Sequence, residues 1–173
     1  MKSDSRNAQG ALLDSFAELA RNRRYQDFGV GMIVEKARVA RSTFYYYFKE
    51  KDDLLLQNLK PMISVLAGLP TSSAPPQDLG YWLAHIWEHR GNARRIFEGP
   101  TGRKIANTLT EELQFSLRAR SADRQGNDLT PLLAAQIAGS ILSLLQAWVC
   151  GRGTASPSEI AGMIWTSTVA MSG

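Results

Sequence analysis

An all-α fold is what this chain of 173 residues predicts. Apolar residues recur at helical spacing along most of its length, no alternating strand-like run stands out, and clusters of proline, glycine and serine fall between the helical stretches. Short helices within residues 1–50 are expected to form a helix-turn-helix domain, and longer ones over 51–173 a second helical domain. Hydrophobic residues make up 44% of the chain, enough for a core, so wholesale disorder is not expected.

Leu12, Leu13, Phe16, Ala17, Leu19 and Ala20 put an apolar stripe on the first helix. Tyr25 and Phe28 are spaced to plug the gap before the second, a short helix with Ile33, Val34 and Ala37 inward. Arg38-Val39-Ala40 connects it to a third, on which Phe44 and Phe48 lie one turn apart and face the core with Val39. A long fourth helix is expected from Lys51 or Asp52 to about Leu69, and residues 68–76 are the clearest loop. Residues 77–91 read as a helix rich in Trp and His, 92–98 as a helical turn ending at Gly99-Pro100, and 101–123 as a long helix with Ile105, Leu109, Leu113 and Leu117 at fourfold spacing. Thr130-Pro131 supplies a capping hydroxyl and a first-turn proline to a helix reaching Gly151, roughly 30 Å long. Ser156-Pro157-Ser158-Glu159 is a capping box that opens the final helix, with Ile160, Met163, Ile164, Ser167 and Met171 along one face.

Composition narrows the function classes. No run of about 18 apolar residues argues for a membrane span, and the N-terminus lacks the apolar block of a signal peptide. Cys150 is the single cysteine, so no intrachain disulfide can form, and a reducing cytoplasm is the expected location. The net charge is a modest +4. Its placement says more: residues 21–51 hold eight bases (Arg21, Arg23, Arg24, Lys36, Arg38, Arg41, Lys49 and Lys51) against three acids (Asp27, Glu35 and Glu50). Basic charge gathered on one segment is the footprint of phosphate binding, although a solvated surface clusters charge in the same way.

On the third helix Ser42 and Tyr46 lie one turn apart, nearly opposite Phe44 and Phe48, with Thr43 and Tyr45 beside them and Arg41 at the start. One face hides phenylalanine; the other shows hydroxyls, tyrosine rings and a guanidinium. That is the chemistry of a helix entering a DNA groove, where Arg41 can bond guanine edges or phosphate and Ser42 either kind of group. Lys51, near the start of the fourth helix, is placed to grip phosphate beside that helix's amino end.

Tyr25-Gln26-Asp27-Phe28-Gly29-Val30, Ile33, Ala37, Val39, Arg41-Ser42-Thr43-Phe44-Tyr45, Phe48 and Lys51-Asp52-Asp53-Leu54-Leu55 together resemble the DNA-binding part of TetR-type transcriptional regulators, over about residues 8–56. The resemblance implies that the third helix enters the major groove, that Thr43, Tyr45, Tyr46 and Lys51 contact backbone, and that Arg41 and Ser42 lie near bases. It also implies an effector-binding second domain and a homodimer. Four positions depart from the family pattern. Gly29 replaces a capping Thr or Ser, Gly31 a polar or basic residue that often reaches DNA, and Tyr47 a common His. Arg38 replaces a turn glycine, which implies strain if the backbone there needs positive φ.

In the second domain Trp82, His85, Ile86, His89, Phe97 and Phe115 are candidates for a pocket wall, apolar with a few polar groups; ordinary core is the alternative for each. His85-Ile86-Trp87-Glu88-His89 also has the H-x-x-E-H spacing of inverted zinc peptidases, which would need a further ligand such as Glu98, Glu111, Glu112 or Glu159. Short patterns of this kind arise by chance, so neither an enzyme nor a resident metal or cofactor is expected. Residues 131–150 are apolar around much of the helix surface, and Ile137, Ile141, Leu145 and Trp148 with Ile160 and Ile164 are candidates for a four-helix dimer interface. The expected protein is a ligand-responsive repressor that binds a palindromic operator in double-stranded DNA as a homodimer and answers to a small-molecule effector. An activator or a regulator controlled by a partner protein is the alternative on the same fold, and a zinc hydrolase the remote one.

Overall fold

The computed structural model describes residues 2–119 and 128–173, with side chains from residue 8 onward. Among them are helices and two short 3-10 turns but no strand, as the periodicity predicts. The chain divides into two compact units, Met1–Lys60 and Pro61–Gly173. The division falls inside a helix rather than at its start near residue 51. Lys51, Asp52 and Leu54 explain this, since all three are tied into the first unit by hydrogen bonds or burial.

The first unit holds α1 (Lys2–Asn22), a 3-10 turn (Tyr25–Asp27), α2 (Val30–Ala37), α3 (Arg41–Tyr47) and the beginning of α4 (Lys51–Gly68). α1 packs on α2 and α3. Leu12, Phe16 and Leu19, one turn apart along α1, are buried, as are Tyr25, Phe28, Ile33 and Phe44 in the elements that follow. The rings of Phe16, Tyr25 and Phe28 meet edge to face in all three pairs, with centroids 5.8–6.3 Å apart. Each such pair adds about 0.5–1.5 kcal/mol beyond the area it buries. On the surface Lys36 meets Glu18 at 2.6 Å and links α2 to α1, a bridge worth at most about 1 kcal/mol at this exposure.

Arg38 closes α2 in the left-handed region, at φ 54° and ψ 40°, while the Val39 amide donates to the Val34 carbonyl across the turn. A β-carbon is strained there, so the expectation raised by a non-glycine at this turn is met. Arg38→Gly should therefore raise the stability of the unit by about 1 kcal/mol. Urea unfolding checks this; an unchanged or lower midpoint would mean that the arginine side chain makes contacts worth more than the strain.

The second unit continues with a 3-10 turn (Leu69–Thr71), α5 (Gln77–Glu88), α6 (Arg90–Glu98), α7 (Pro100–Arg118), α8 (Thr130–Val149) and α9 (Pro157–Ser172). α7 lies along α8, α5 along α9, and α6 against both α7 and α8. Ile105, Leu109, Leu113 and Leu117 form the buried face of α7, as their fourfold spacing predicts. The expected extension of this helix to 123 reaches beyond the described residues. At the corner between α6 and α7 a β-carbon on Gly102 would stand 2.5 Å from the Phe97 carbonyl oxygen, so only glycine fits.

The caps are partly as expected. Ser156 and Glu159 form the reciprocal box of α9: the Glu159 amide donates to Ser156 Oγ and the Ser156 amide to Glu159 Oε2. At α8 the cap is different. The Asp128 carboxylate, not the Thr130 hydroxyl, accepts the first amide, at 3.1 Å. Two residues past the end of α8, Gly151 has a φ of 72°, which lets the Arg152 amide reach back to the Ala147 carbonyl. By length and composition α8 is apolar enough to cross a membrane, yet Ile137, Ile141, Leu145 and Trp148 are buried by neighbouring helices of the same unit.

Candidate nucleic-acid interface

α3 is held from behind and presented in front. Phe44 is fully buried and Phe48 nearly so, their rings 5.8 Å apart, which fixes the inner side of the helix on the core. Arg41, Ser42, Tyr45 and Tyr46 are exposed, Tyr46 to 80%, and Thr43 is half-buried beside them. Arg41 lies over the Tyr45 ring, 5.8 Å from its centroid, with Nη2 3.4 Å from the phenol oxygen. Tyr46 packs edge-on against Tyr47 at 4.9 Å. These contacts restrict the long side chains before any ligand arrives, which lowers the entropy cost of using them. Arg21, Arg23, Arg24, Lys36, Arg38 and Lys49 are exposed on the same unit. The resulting surface has aromatic hydroxyls and a guanidinium on one helix amid basic charge, the composition that phosphate and base edges require.

Lys51 is the exception among the residues expected to face DNA. Its ammonium donates to the Phe28 carbonyl at 2.7 Å and to the Tyr25 carbonyl, and it sits over both rings, 3.9 Å from the Tyr25 centroid and 4.7 Å from that of Phe28. Tyr25 in turn donates its hydroxyl to Asp52. Burial pulls the Lys51 pKa below the ordinary lysine value, with Asp52 opposing, and burial with the Asp52 bond pushes the Tyr25 phenol up. The amino end of α4 is likewise occupied, because Asp53 Oδ2 accepts the amides of Lys49 and Glu50 at 2.7 and 3.2 Å. Lys51 thus ties α4 to the segment before α2 in the free chain.

Lys51→Met should cost the first unit about 2–4 kcal/mol, because it strips two half-buried carbonyls of their donor. Denaturation without DNA measures this, and a variant as stable as the parent would return Lys51 to the phosphate role.

The pocket candidates of the second unit separate. Trp82, His85, Ile86 and His89 belong to α5 and the residue that ends it; Ile86 is buried and the other three are half-buried. Phe97 on α6 is half-buried. Phe115 is 77% exposed and lines no interior. Being two residues from both Leu113 and Leu117, it falls on the far side of α7 from the buried row.

The dimer candidates also need correction. Ile137, Ile141, Leu145, Trp148, Ile160 and Ile164 are all at most 3% exposed within their own chain, where they form the core. The residues that α8 and α9 leave exposed are mixed instead, among them Leu132, Ala135, Gln136, Gly139, Ser140, Ser143 and Gln146 on α8 and Met163, Thr166 and Ala170 on α9, with Ala135, Gly139 and Ser143 a row of small ones. The i, i+4 spacing of Ala135, Gly139 and Ser143 was the available signal for it.

Residues 12–57 match the family model of the bacterial regulatory proteins of the tetR family. No curated protein matches the chain. Among solved structures, the dihydroxyacetone kinase operon activator DhaS is 19% identical with a TM-score of 0.53, over 94% of each chain. A TetR transcriptional regulator from Streptococcus agalactiae 2603V is 17% identical with a TM-score of 0.52, over 96% of each chain. FadR of Thermus thermophilus, a TetR-family transcriptional repressor solved with lauroyl-CoA, is 16% identical with a TM-score of 0.53, over 94% of this chain and 92% of that one. At such identities the structures establish a shared fold, and the family match covers the unit that carries α3.

Proposed function

We infer that this chain, whose residues 12–57 carry the tetR-family DNA-binding domain and whose whole length has the fold of that family's transcriptional regulators, works as a ligand-responsive repressor on a palindromic operator. The observation that carries the reading is the exposed face of α3, where Arg41, Ser42, Tyr45 and Tyr46 stand outward while Phe44 and Phe48 anchor the helix. Groove entry by this face uses Arg41 and Ser42 near base edges and Thr43, Tyr45 and Tyr46 on phosphates.

A homodimer is part of the proposal. The exposed row of small residues Ala135, Gly139 and Ser143 allows close helix contact with a second copy, and two α3 helices related by a twofold axis match half-sites about one helical turn apart. Sedimentation of the purified chain measures the dimer. An effector acts by binding the second unit more tightly in one of the DNA-competent and DNA-incompetent states; without that difference in affinity no switch follows. The lauroyl-CoA bound by the Thermus thermophilus repressor makes a small-molecule effector the natural candidate, with Trp82, His85, Ile86, His89 and Phe97 as the residues to test. The operon activator among the structural relatives keeps activation as the second reading. Either role places the protein with DNA in the cytoplasm.

Gel shifts with the DNA upstream of its own gene test the central claim. Binding should weaken steeply as salt rises, by about 10³-fold or more between 50 and 200 mM if six or more phosphates are neutralised. Failure to bind that DNA at low salt would end the operator claim, and a ligand that binds without altering operator affinity would end the switch.

A further inference from the structure

His85 and His89 lie one turn apart at the end of α5, with Glu88 between them in sequence. Their ring centroids are 4.6 Å apart, and one donor atom from each of the three side chains lies within 4.8 Å of the others. The backbone beneath is well defined. The His89 amide donates to the His85 carbonyl at 3.2 Å, and the His89 carbonyl accepts the amides of Asn92 and Ala93 at 2.9 and 3.1 Å. His89 therefore ends α5 and begins α6 at once, with φ −105° and ψ 24°.

We propose that His85, Glu88 and His89 bind one divalent transition-metal ion of the zinc, cobalt or nickel class. Two imidazoles and a carboxylate are the donor set such ions prefer, whereas calcium and magnesium take oxygen ligands throughout. Metal–nitrogen bonds of about 2.0–2.1 Å put tetrahedral ligands about 3.4 Å apart. The present separation, within 4.8 Å, must close toward that value, and His85 and His89, one turn apart, start from one helical face. Glu88 offsets part of the ion's charge, while the neighbouring Arg90 guanidinium is engaged over the Trp87 ring at 4.9 Å. Three protein ligands leave one position open for water or another small ligand. With Glu88 used as a ligand, no member of the trio remains as a general base, so this is a binding site and not a hydrolytic centre.

The bound ion clips the last turn of α5 to the residue that starts α6. The clip adds to the backbone hydrogen bonds and the Arg90 bond to the Trp87 carbonyl that already cross this joint, so loading should stiffen it and raise the melting temperature of the chain.

The test uses the untagged full-length chain, stripped with chelator and titrated with Co²⁺, with Zn²⁺ as competitor. One Co²⁺ per chain should bind, with the absorption bands of low-symmetry cobalt, and Zn²⁺ should displace it. His85→Ala and His89→Ala should each weaken binding at least tenfold and abolish the rise in melting temperature, and Glu88→Gln should weaken it severalfold. His85→Gln and His89→Gln, close to His in size but without an imidazole, repeat the test should either alanine variant misfold. Cys150→Ser is the control for a thiolate site, because Cys150 Sγ lies 3.5 Å from Glu98 Oε1. Absence of stoichiometric binding, binding retained when both histidines are replaced, or loss on replacing Cys150 alone would each overturn the proposal. No DNA is present in any arm, so the outcome is independent of operator binding.

Discussion

Phe16→Ala should unfold the helix-turn-helix unit. Phe16 is 1% exposed and is the one ring that meets both Tyr25 and Phe28 from α1. Removing it costs about 3–5 kcal/mol for the lost burial and the cavity left behind. The two edge-to-face pairs are lost as well, at about 0.5–1.5 kcal/mol each. A unit the size of Met1–Lys60 is stable by only about 3–9 kcal/mol at typical values per residue. The loss is therefore of the same size as the whole stability. Relaxation cannot easily fill the gap, because the opposite walls are themselves rings tied down by Lys51 and Asp52. Hydrogen exchange followed by mass spectrometry should show protection gone from α2 and α3, and operator binding should disappear with it. Phe16→Leu, which keeps most of the volume, should retain both. Undiminished protection of α2 and α3 in Phe16→Ala would mean that the aromatic cluster is not what holds the unit together.

That cluster was legible in the sequence, and the reason bears on what was not. Phe16 lies on the apolar stripe of α1, Phe44 and Phe48 are one turn apart on α3 and just past its end, and Tyr25 and Phe28 fall in the short connection before α2, so spacing assigns their direction. The Ser156–Glu159 box was readable because both halves of its bonding lie within one turn of chain. α8 differs: it is apolar around most of its surface, and spacing cannot say which apolar side meets α7 and α9 and which remains open. The largest side chains, Ile137, Ile141 and Leu145, were the natural candidates for a partner surface, yet a single chain buries those first. The bonds of Lys51 were illegible for a related reason. A lysine beside a helix start suggests an anion site, but the acceptors it uses are backbone carbonyls more than twenty residues earlier, which no side-chain pattern reveals. Asp53 likewise takes up the amides of Lys49 and Glu50 at the start of that helix.

Arg41→Ala and Tyr46→Ala should abolish operator recognition while leaving the fold intact. Both side chains are exposed, Tyr46 to 80%, so their removal creates no cavity and should shift stability by less than about 0.5 kcal/mol. On DNA each contact is worth about 1–3 kcal/mol, and the proposed dimer would make it twice, which gives about 30-fold to 10⁴-fold weaker binding for a single substitution. The two residues should fail differently. Tyr46 carries no charge, so its loss should lower affinity on every DNA and leave the salt dependence nearly unchanged. Arg41 has two possible targets that the salt titration separates. If the guanidinium grips phosphate, Arg41→Ala should weaken all sequences alike and flatten the salt slope by about one unit per protomer. If it reads a base, discrimination at one operator position in each half-site should relax. Tyr45 favours the second outcome, because its ring and hydroxyl already hold the guanidinium over the exposed side of α3. Tyr45→Phe removes the hydroxyl and keeps the ring, and it should cost part of the Arg41 effect and little else. Operator affinity that survives both Arg41→Ala and Tyr46→Ala, in chains shown to be folded, would remove α3 from the interface and leave the basic charge of residues 21–51 as a solvated surface.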